Sequence, residues 1–185
     1  RSTRHPSSAA SDVYKRQPLD APEVSAAIER VQKRTDALLN CGGTHRPEWF
    51  HRKLGDILYE GCGVARDEAG LLDALTKVRE LREEFWRDVK VVGTGNRLNQ
   101  ELEKAGRVAD FIELGEVMIL DALDRRESAG AHFRNEYATE AGEAKRNDGD
   151  WCAVSAWETR PDGTKVRHSE PLSFSLIDLQ VRDYR

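Results

Sequence analysis

The stretch from Asn99 to Arg134 restricts the fold more than any other part of the chain. Leu102, Ala105, Val108, Ala109, Ile112, Ile119, Ala122 and Leu123 recur at steps of three and four, so they share one face of a helix. Phe111, Leu114, Val117 and Met118 make a second apolar stripe on the same helix. A helix with two apolar faces is expected to be sandwiched between neighbours. About 27 residues at 1.5 Å each give roughly 40 Å, the span of a small domain. Arg125 and Arg126 are expected in the last turn, where positive charge suits the helix dipole. Gly130 is expected at the left-handed position that ends many helices.

Three shorter helical patterns precede this one. Asp20 to Glu23 is a capping pattern with Pro22 in the first turn, and Val24, Ala27, Ile28, Val31, Leu38 and Leu39 line one face before Asn40-Cys41-Gly42-Gly43. A second helix begins near Pro47, carries Trp49, Phe50, Leu54, Ile57 and Leu58, and is broken by Gly61-Cys62-Gly63. Asp67 caps a third, with Leu71, Leu75, Val78, Leu81, Phe85, Trp86 and Val89, ended by Gly93-Thr94-Gly95. Short breaks favour antiparallel neighbours. The expected fold is mainly α: an antiparallel three- to four-helix bundle over residues 18–134, with a short C-terminal β-hairpin or extended arm in a tail at 135–185. In that tail, residues 135–150 read as a loop, 151–157 as a strand, Pro161-Asp162-Gly163 as a turn and 166–168 as the return strand. Leu172 to Leu176 reads as a further strand or an extended arm.

Residues 1–17 read differently. They lack an initiator Met and any periodicity, and Asp12-Val13-Tyr14-Lys15-Arg16-Gln17 resembles translated sequencing-adaptor read-through. A non-native leader on a truncated gene product is expected; a native disordered arm is the alternative. The net charge of −4 gives no footprint for nucleic acid. A mean hydropathy of −0.69 and the lack of a long apolar run argue against a membrane span. Cys41, Cys62 and Cys152 are few, odd in number and far apart, which fits a reducing compartment better than a disulfide framework.

Chemistry-bearing patterns are sparse. Gly93-Thr94-Gly95-Asn96-Arg97-Leu98 starts like a dinucleotide loop but lacks the third glycine and a βαβ setting, so a helix-to-helix loop is expected. Cys41-x-x-x-His45 with His51 could be half of a metal site, but a second half is missing, and no metal site is expected. Cys62 reads as a small buried residue at a tight turn rather than a reactive thiol. Pairs such as Arg79-Glu80 and Arg82-Glu83-Glu84 read as solvated helix faces. Arg126, Glu127, His132 and Arg134 form the best polar cluster, without a nucleophile or oxyanion feature. They are expected to be either an ion-paired corner that locks the helix end or part of an interface. No catalytic residue is expected.

The nonapeptide Arg126-Glu127-Ser128-Ala129-Gly130-Ala131-His132-Phe133-Arg134 resembles the R-E-S-R-G-A-H-x-R signature in the C-terminal region of succinate dehydrogenase and fumarate reductase flavoprotein subunits. Gly61 to Arg66, Leu98-Asn99-x-Glu101-Leu102, Trp157-Glu158 and Leu179-Gln180-Val181-Arg182 extend the resemblance over nearly everything after residue 18. The commonest form has Arg where this chain has Ala129, so no contact of that Arg carries over. The resemblance implies a parent subunit that exchanges hydride between succinate or fumarate and a covalently held FAD. Electrons then pass through an iron–sulfur subunit toward quinone. It implies partners in the FAD domain of the same subunit, the iron–sulfur subunit and, indirectly, a membrane cytochrome subunit; the long tail resembles the subgroup with a single haem-bearing one. A peripheral place on the cytoplasmic face of the inner membrane is implied as well. No flavin-linking or dinucleotide segment matches here, so this stretch is expected to support the flavin domain and to hold no cofactor itself. The competing reading is a free-standing helical interaction module without redox activity.

Overall fold

The computed structural model describes residues 21–177, 179 and 180. The leader, the Asp20 cap, Val181 and Arg182 lie outside the described residues. In order, the elements are α1 (Pro22–Asn40), α2 (Pro47–Gly61), β1 (Ala65–Arg66), α3 (Glu68–Asp88), α4 (Gln100–Asp124), β2 (Phe133–Arg134), a 3-10 turn (Asn135–Tyr137), the short α5 (Asp148–Trp151), and strands β3 (Ala153–Thr159) and β4 (Lys165–Pro171). The fold is mainly α, as expected, with a hairpin at its C-terminal side.

Cross-helix pairs give the helix directions. Arg79 and Arg82 of α3 both reach Glu116 of α4, and Arg82 also reaches Glu113, so residue numbers fall on one helix as they rise on the other. Phe50 packs edge-on against Phe85, Lys53 pairs with Glu84, and Gly61 abuts Ala74, so α3 is antiparallel to α2 as well. Helices α2 and α4 therefore run parallel, with α3 antiparallel to both. Their shared core holds Phe50, Leu54, Leu71, Val78, Leu81, Phe85, Ala105, Ile112 and Ile119, all at most 3% exposed. Val108, Ile112 and Ile119 are buried at 4%, 1% and 0%, as the first apolar stripe requires. Burying each such aliphatic side chain contributes roughly 1.5–3 kcal/mol.

Several boundaries differ from the sequence pattern. Helix α3 stops at Asp88, well before Gly93, because Val89 turns extended and joins a short ladder with the α1–α2 connection. Gly43 N–H donates to Val89 O, His45 N–H to Asp88 O, and Lys90 N–H to His45 O. The Asp88 carboxylate accepts from the Thr44 N–H, the Thr44 hydroxyl and His45 Nδ1, which together hold its pKa down at about 2. Helix α1 docks only by its end. Leu38 is buried, whereas Ile28 and Val31 on the expected apolar face are 57% and 65% exposed. Arg34 ties α1 to α4 through Gly106 O and Asp110.

Asn99 starts α4 and explains the preceding loop. Its Oδ1 accepts from Leu102 N–H, and its Nδ2 donates to Val92 O and Thr94 O. Asn99→Ala removes both the cap and the loop tie. It is expected to lower stability by about 1–2 kcal/mol in urea denaturation, the upper part of the capping range. Asn99→Asp, which keeps the capping oxygen but loses the donors, should fall between the two.

The hairpin lies on α4 through polar contacts. Trp157 Nε1 donates to Asp121, Lys165 pairs with Glu113 and Arg167 with Asp124. Its strands pair from Ala153↔Pro171 to Thr159↔Lys165, so β3 starts two residues later than expected because Trp151 closes α5. Asp162 and Gly163 (φ 85°) make the turn. Leu172 to Leu176 form no strand and run on as an irregular arm, the second of the two readings.

Candidate functional site: the corner after the long helix

Helix α4 ends at Asp124, so Arg125 and Arg126 are not in its last turn. Arg125 is extended and folds onto Glu127, donating from Nε and Nη2 to Oε1 at 2.8 and 2.6 Å. Glu127 is only 2% exposed, and its other oxygen accepts from Asn147 N–H. A carboxylate that deeply placed requires a cation at hand, and Arg125 leaves the helix to supply it.

The charge that meets the helix end comes from Arg134. Its buried guanidinium donates to Ala122 O at 2.8 Å and Leu123 O at 3.3 Å, two carbonyls of the last turn, and to Glu136 at 3.1 Å. Arg134 thus satisfies orphan acceptors and complements the negative end of the dipole. It does so from ten residues downstream, which is why local spacing pointed to Arg125 and Arg126 instead. Ser128 secures the arrival: its hydroxyl accepts from Arg134 N–H and donates to Arg134 O. Gly130 does adopt positive φ (58°), but in the tight turn where Ala129 and His132 exchange backbone hydrogen bonds, not as a helix terminator.

His132 links this corner to the α2–α3 connection. Its Nε2 lies 3.1 Å from Arg125 O and its Nδ1 3.0 Å from Arg66 Nη1. Arg66 can only donate, so Nδ1 must accept and Nε2 must carry the proton: the ring is neutral. Burial lowers its pKa, the bond to Arg125 O opposes this, and the charges of Arg66, Arg125 and Arg134 lower it further. Arg66 also donates to Gly63 O, and β1 pairs in parallel with β2. Protonating His132 would turn an acceptor toward Arg66 into a donor. A group whose folded pKa is depressed contributes stability above its unfolded value, near 6.5, and loses it as pH falls through the folded value. The melting temperature should therefore decline from pH 7 toward pH 5. His132→Gln should flatten that decline; an unchanged slope would place the titration elsewhere. Carboxylates such as Asp88 act only at lower pH.

Of the four residues expected at the corner, the structure brings Glu127, His132 and Arg134 together and leaves Arg126 exposed, without an ion pair among the described residues. Arg66, Arg125, Ser128 and Glu136 also belong to the cluster, although the sequence pattern did not single them out for it. Arg66 was within reach of it, in the Gly61–Arg66 motif. Glu116 was missed too. It is 3% exposed, between Ile112 and Ile119 on the core stripe, and is held by Arg79 and Arg82. Burial opposes its ionisation, but the bond from Arg79 and the charge of Arg82 outweigh burial and keep its pKa below the usual carboxylate value. Arg79 and Arg82 are thus inter-helix ligands rather than solvated faces. A lone acid inside an apolar stripe was the available signal.

The remaining motifs have internal explanations. A Cβ on Gly93 would lie 2.8 Å from Asn99 Nδ2, so the glycine serves the loop tie, and no strand leads into it. The described residues do not fit a flavin dinucleotide at this loop. Cys41 donates to Trp86 O, His45 binds Asp88 and His51 stacks near Phe111, so the three point to separate partners. Burial pushes the Cys62 thiol up, the opposite of activation. Ala129 lines an open concavity of about 240 Å³ that Arg125 and Arg146 also border.

The arrangement is a helical domain whose longest helix is terminated by a buried polar corner, and the fold is one seen in a quinol fumarate reductase. Escherichia coli quinol fumarate reductase, solved as a mutant, superposes with a TM-score of 0.73 at 23% identity, over 88% of this chain and 27% of that one. The sequence model described as fumarate reductase flavoprotein C-term matches residues 51–184, and the chain belongs to that family. The succinate dehydrogenase flavoprotein subunit of Bacillus subtilis is 26% identical over 160 residues, 86% of this chain and 26% of that protein. The fumarate reductase flavoprotein subunit of Haemophilus influenzae is 27% identical over 129 residues, 70% of this chain and 21% of that protein. The chain thus spans about a quarter of the length of these relatives.

Proposed function

We propose that the chain is the C-terminal helical part of an FAD-dependent succinate dehydrogenase or fumarate reductase flavoprotein subunit. In this reading it supports the flavin domain and helps dock the iron–sulfur subunit of a complex that exchanges electrons with quinone. The observation that carries it is the family match, which includes the whole corner from Arg126 to Arg134. Bound FAD would supply the hydride chemistry, and no residue here is assigned a step in it. The residues of this chain hold geometry: Glu127 and Arg134 stiffen the end of α4, His132 and Arg66 bind the α2–α3 connection to it, and exposed Arg126 is the member free to reach a partner. A peripheral position on the cytoplasmic face, through a membrane cytochrome subunit, belongs to the same proposal. No described helix is long and apolar enough to cross a membrane. The free-standing interaction module is not favoured, because the match runs through 134 residues rather than one motif.

The test is replacement. The chain, joined in place of the corresponding quarter of the B. subtilis flavoprotein subunit, should yield a folded subunit that retains flavin. The isolated chain should be colourless and should not oxidise succinate. Stoichiometric flavin absorbance in the isolated chain would overturn the division between support and catalysis.

A further inference from the structure

Most of the second apolar stripe of α4 is left uncovered by the described residues, Val117 being half-buried. Phe111, Leu114 and Met118 are 41%, 54% and 46% exposed. They face Leu54, Gly55 and Leu58 of α2 across a mainly apolar groove of about 250 Å³ that His51 also lines. The other sides of α4 have partners: α3 through Ile112 and Glu116, the hairpin through Glu113 and Asp121, and α1 through Asp110. The groove is the open side. Gly55 sharpens this. It lies in mid-helix, where glycine is disfavoured relative to alanine, and a Cβ there would meet nothing within 4 Å. Packing among the described residues gives no reason for a glycine at position 55. A close approach from outside would.

We propose that this groove seats an apolar ridge from the remaining three quarters of the same polypeptide. The inference rests on the reading above. The occupant follows from area. The three side chains are each about half exposed; with an aromatic side chain burying about 150–250 Å² in full, and Leu and Met somewhat less, they leave on the order of 300 Å² open. A stable association of separate molecules needs about 800 Å² per partner, so a second copy gains too little here. A tethered segment does not need that area, because covalent connection gives it a high effective concentration. In relatives, the matched region is about a quarter of one polypeptide, so the remainder is tethered to it.

Met118 is the only methionine of the chain and so reports on the groove. Its oxidation by dilute peroxide, followed by peptide mass spectrometry, is compared in the isolated chain and in the B. subtilis replacement described above. Oxidation should be at least tenfold slower in the flavin-retaining replacement, and its rate in the isolated chain should not depend on protein concentration. Leu114→Glu should leave the melting temperature of the isolated chain unchanged and abolish the protection. Gly55→Leu should do the same to protection. Equal oxidation of Met118 in a flavin-retaining replacement overturns the docking proposal and leaves the functional reading standing. Protection that grows with concentration in the isolated chain assigns the groove to a second copy. A replacement that retains no flavin overturns the functional reading, and the proposal falls with it.

Discussion

Arg134→Ala is expected to lower the stability of the folded chain by about 3–5 kcal/mol, a large part of the roughly 5–15 kcal/mol that holds a typical domain together. The guanidinium is 2% exposed and makes three bonds that nothing nearby can replace. Its removal leaves Ala122 O and Leu123 O unsatisfied at a buried helix end, and hydrogen bonds involving a charged group contribute about 1.5–3 kcal/mol each. Arg134→Lys should recover little, because one ammonium cannot reproduce the fork that spans the helix end and Glu136. Arg126→Ala, eight residues away on the exposed side of the same corner, should stay within about 0.5 kcal/mol. Guanidinium denaturation of the three variants reads the difference. Equal effects for Arg126 and Arg134 would show that the buried contacts do not secure the corner.

Gly43→Ala should be nearly as damaging for a different reason. A Cβ on Gly43 would lie 2.0 Å from the carbonyl carbon and oxygen of Asp88, both backbone atoms. Overpacking usually costs about 1–3 kcal/mol, and a backbone-on-backbone clash belongs at the top of that range or beyond. Relief requires parting the Gly43–His45 and Asp88–Lys90 ladder, which also strips Asp88 of its Thr44 and His45 donors. At about 2–4 °C per kcal/mol for a chain of this size, the melting temperature should fall by roughly 6–12 °C. Gly106→Ala is the matching control. A Cβ there meets nothing within 4 Å, and the residue is inside α4, so the substitution should stabilise by about 0.5–1 kcal/mol. If both glycines respond alike, the close approach at Gly43 is not what the structure describes.

Periodicity was enough to place the four long helices, though not all of their ends or which faces they bury. The stripe from Leu102 to Leu123 defined α4 and its buried face, the Asp67 cap began α3 as local chemistry requires, and Asp162-Gly163 turned the hairpin. These signals are local: each is a relation among residues within one or two turns, and each survives whatever the rest of the chain does. The family, too, was legible in one nonapeptide. What local spacing could not show is where a long side chain goes once distant segments meet. Arg134 reaches back to the end of α4, Arg79 and Arg82 cross to Glu116, and Arg66 of β1 selects the tautomer of His132 from 66 residues earlier in the chain. The extension of Val89, which ends α3 early, depends on Gly43 arriving beside it. The exposure of Phe111, Leu114 and Met118 has the same origin. The pattern showed that α4 has two apolar faces, and only the packed fold decided which face this chain covers with its own helices and which it leaves open.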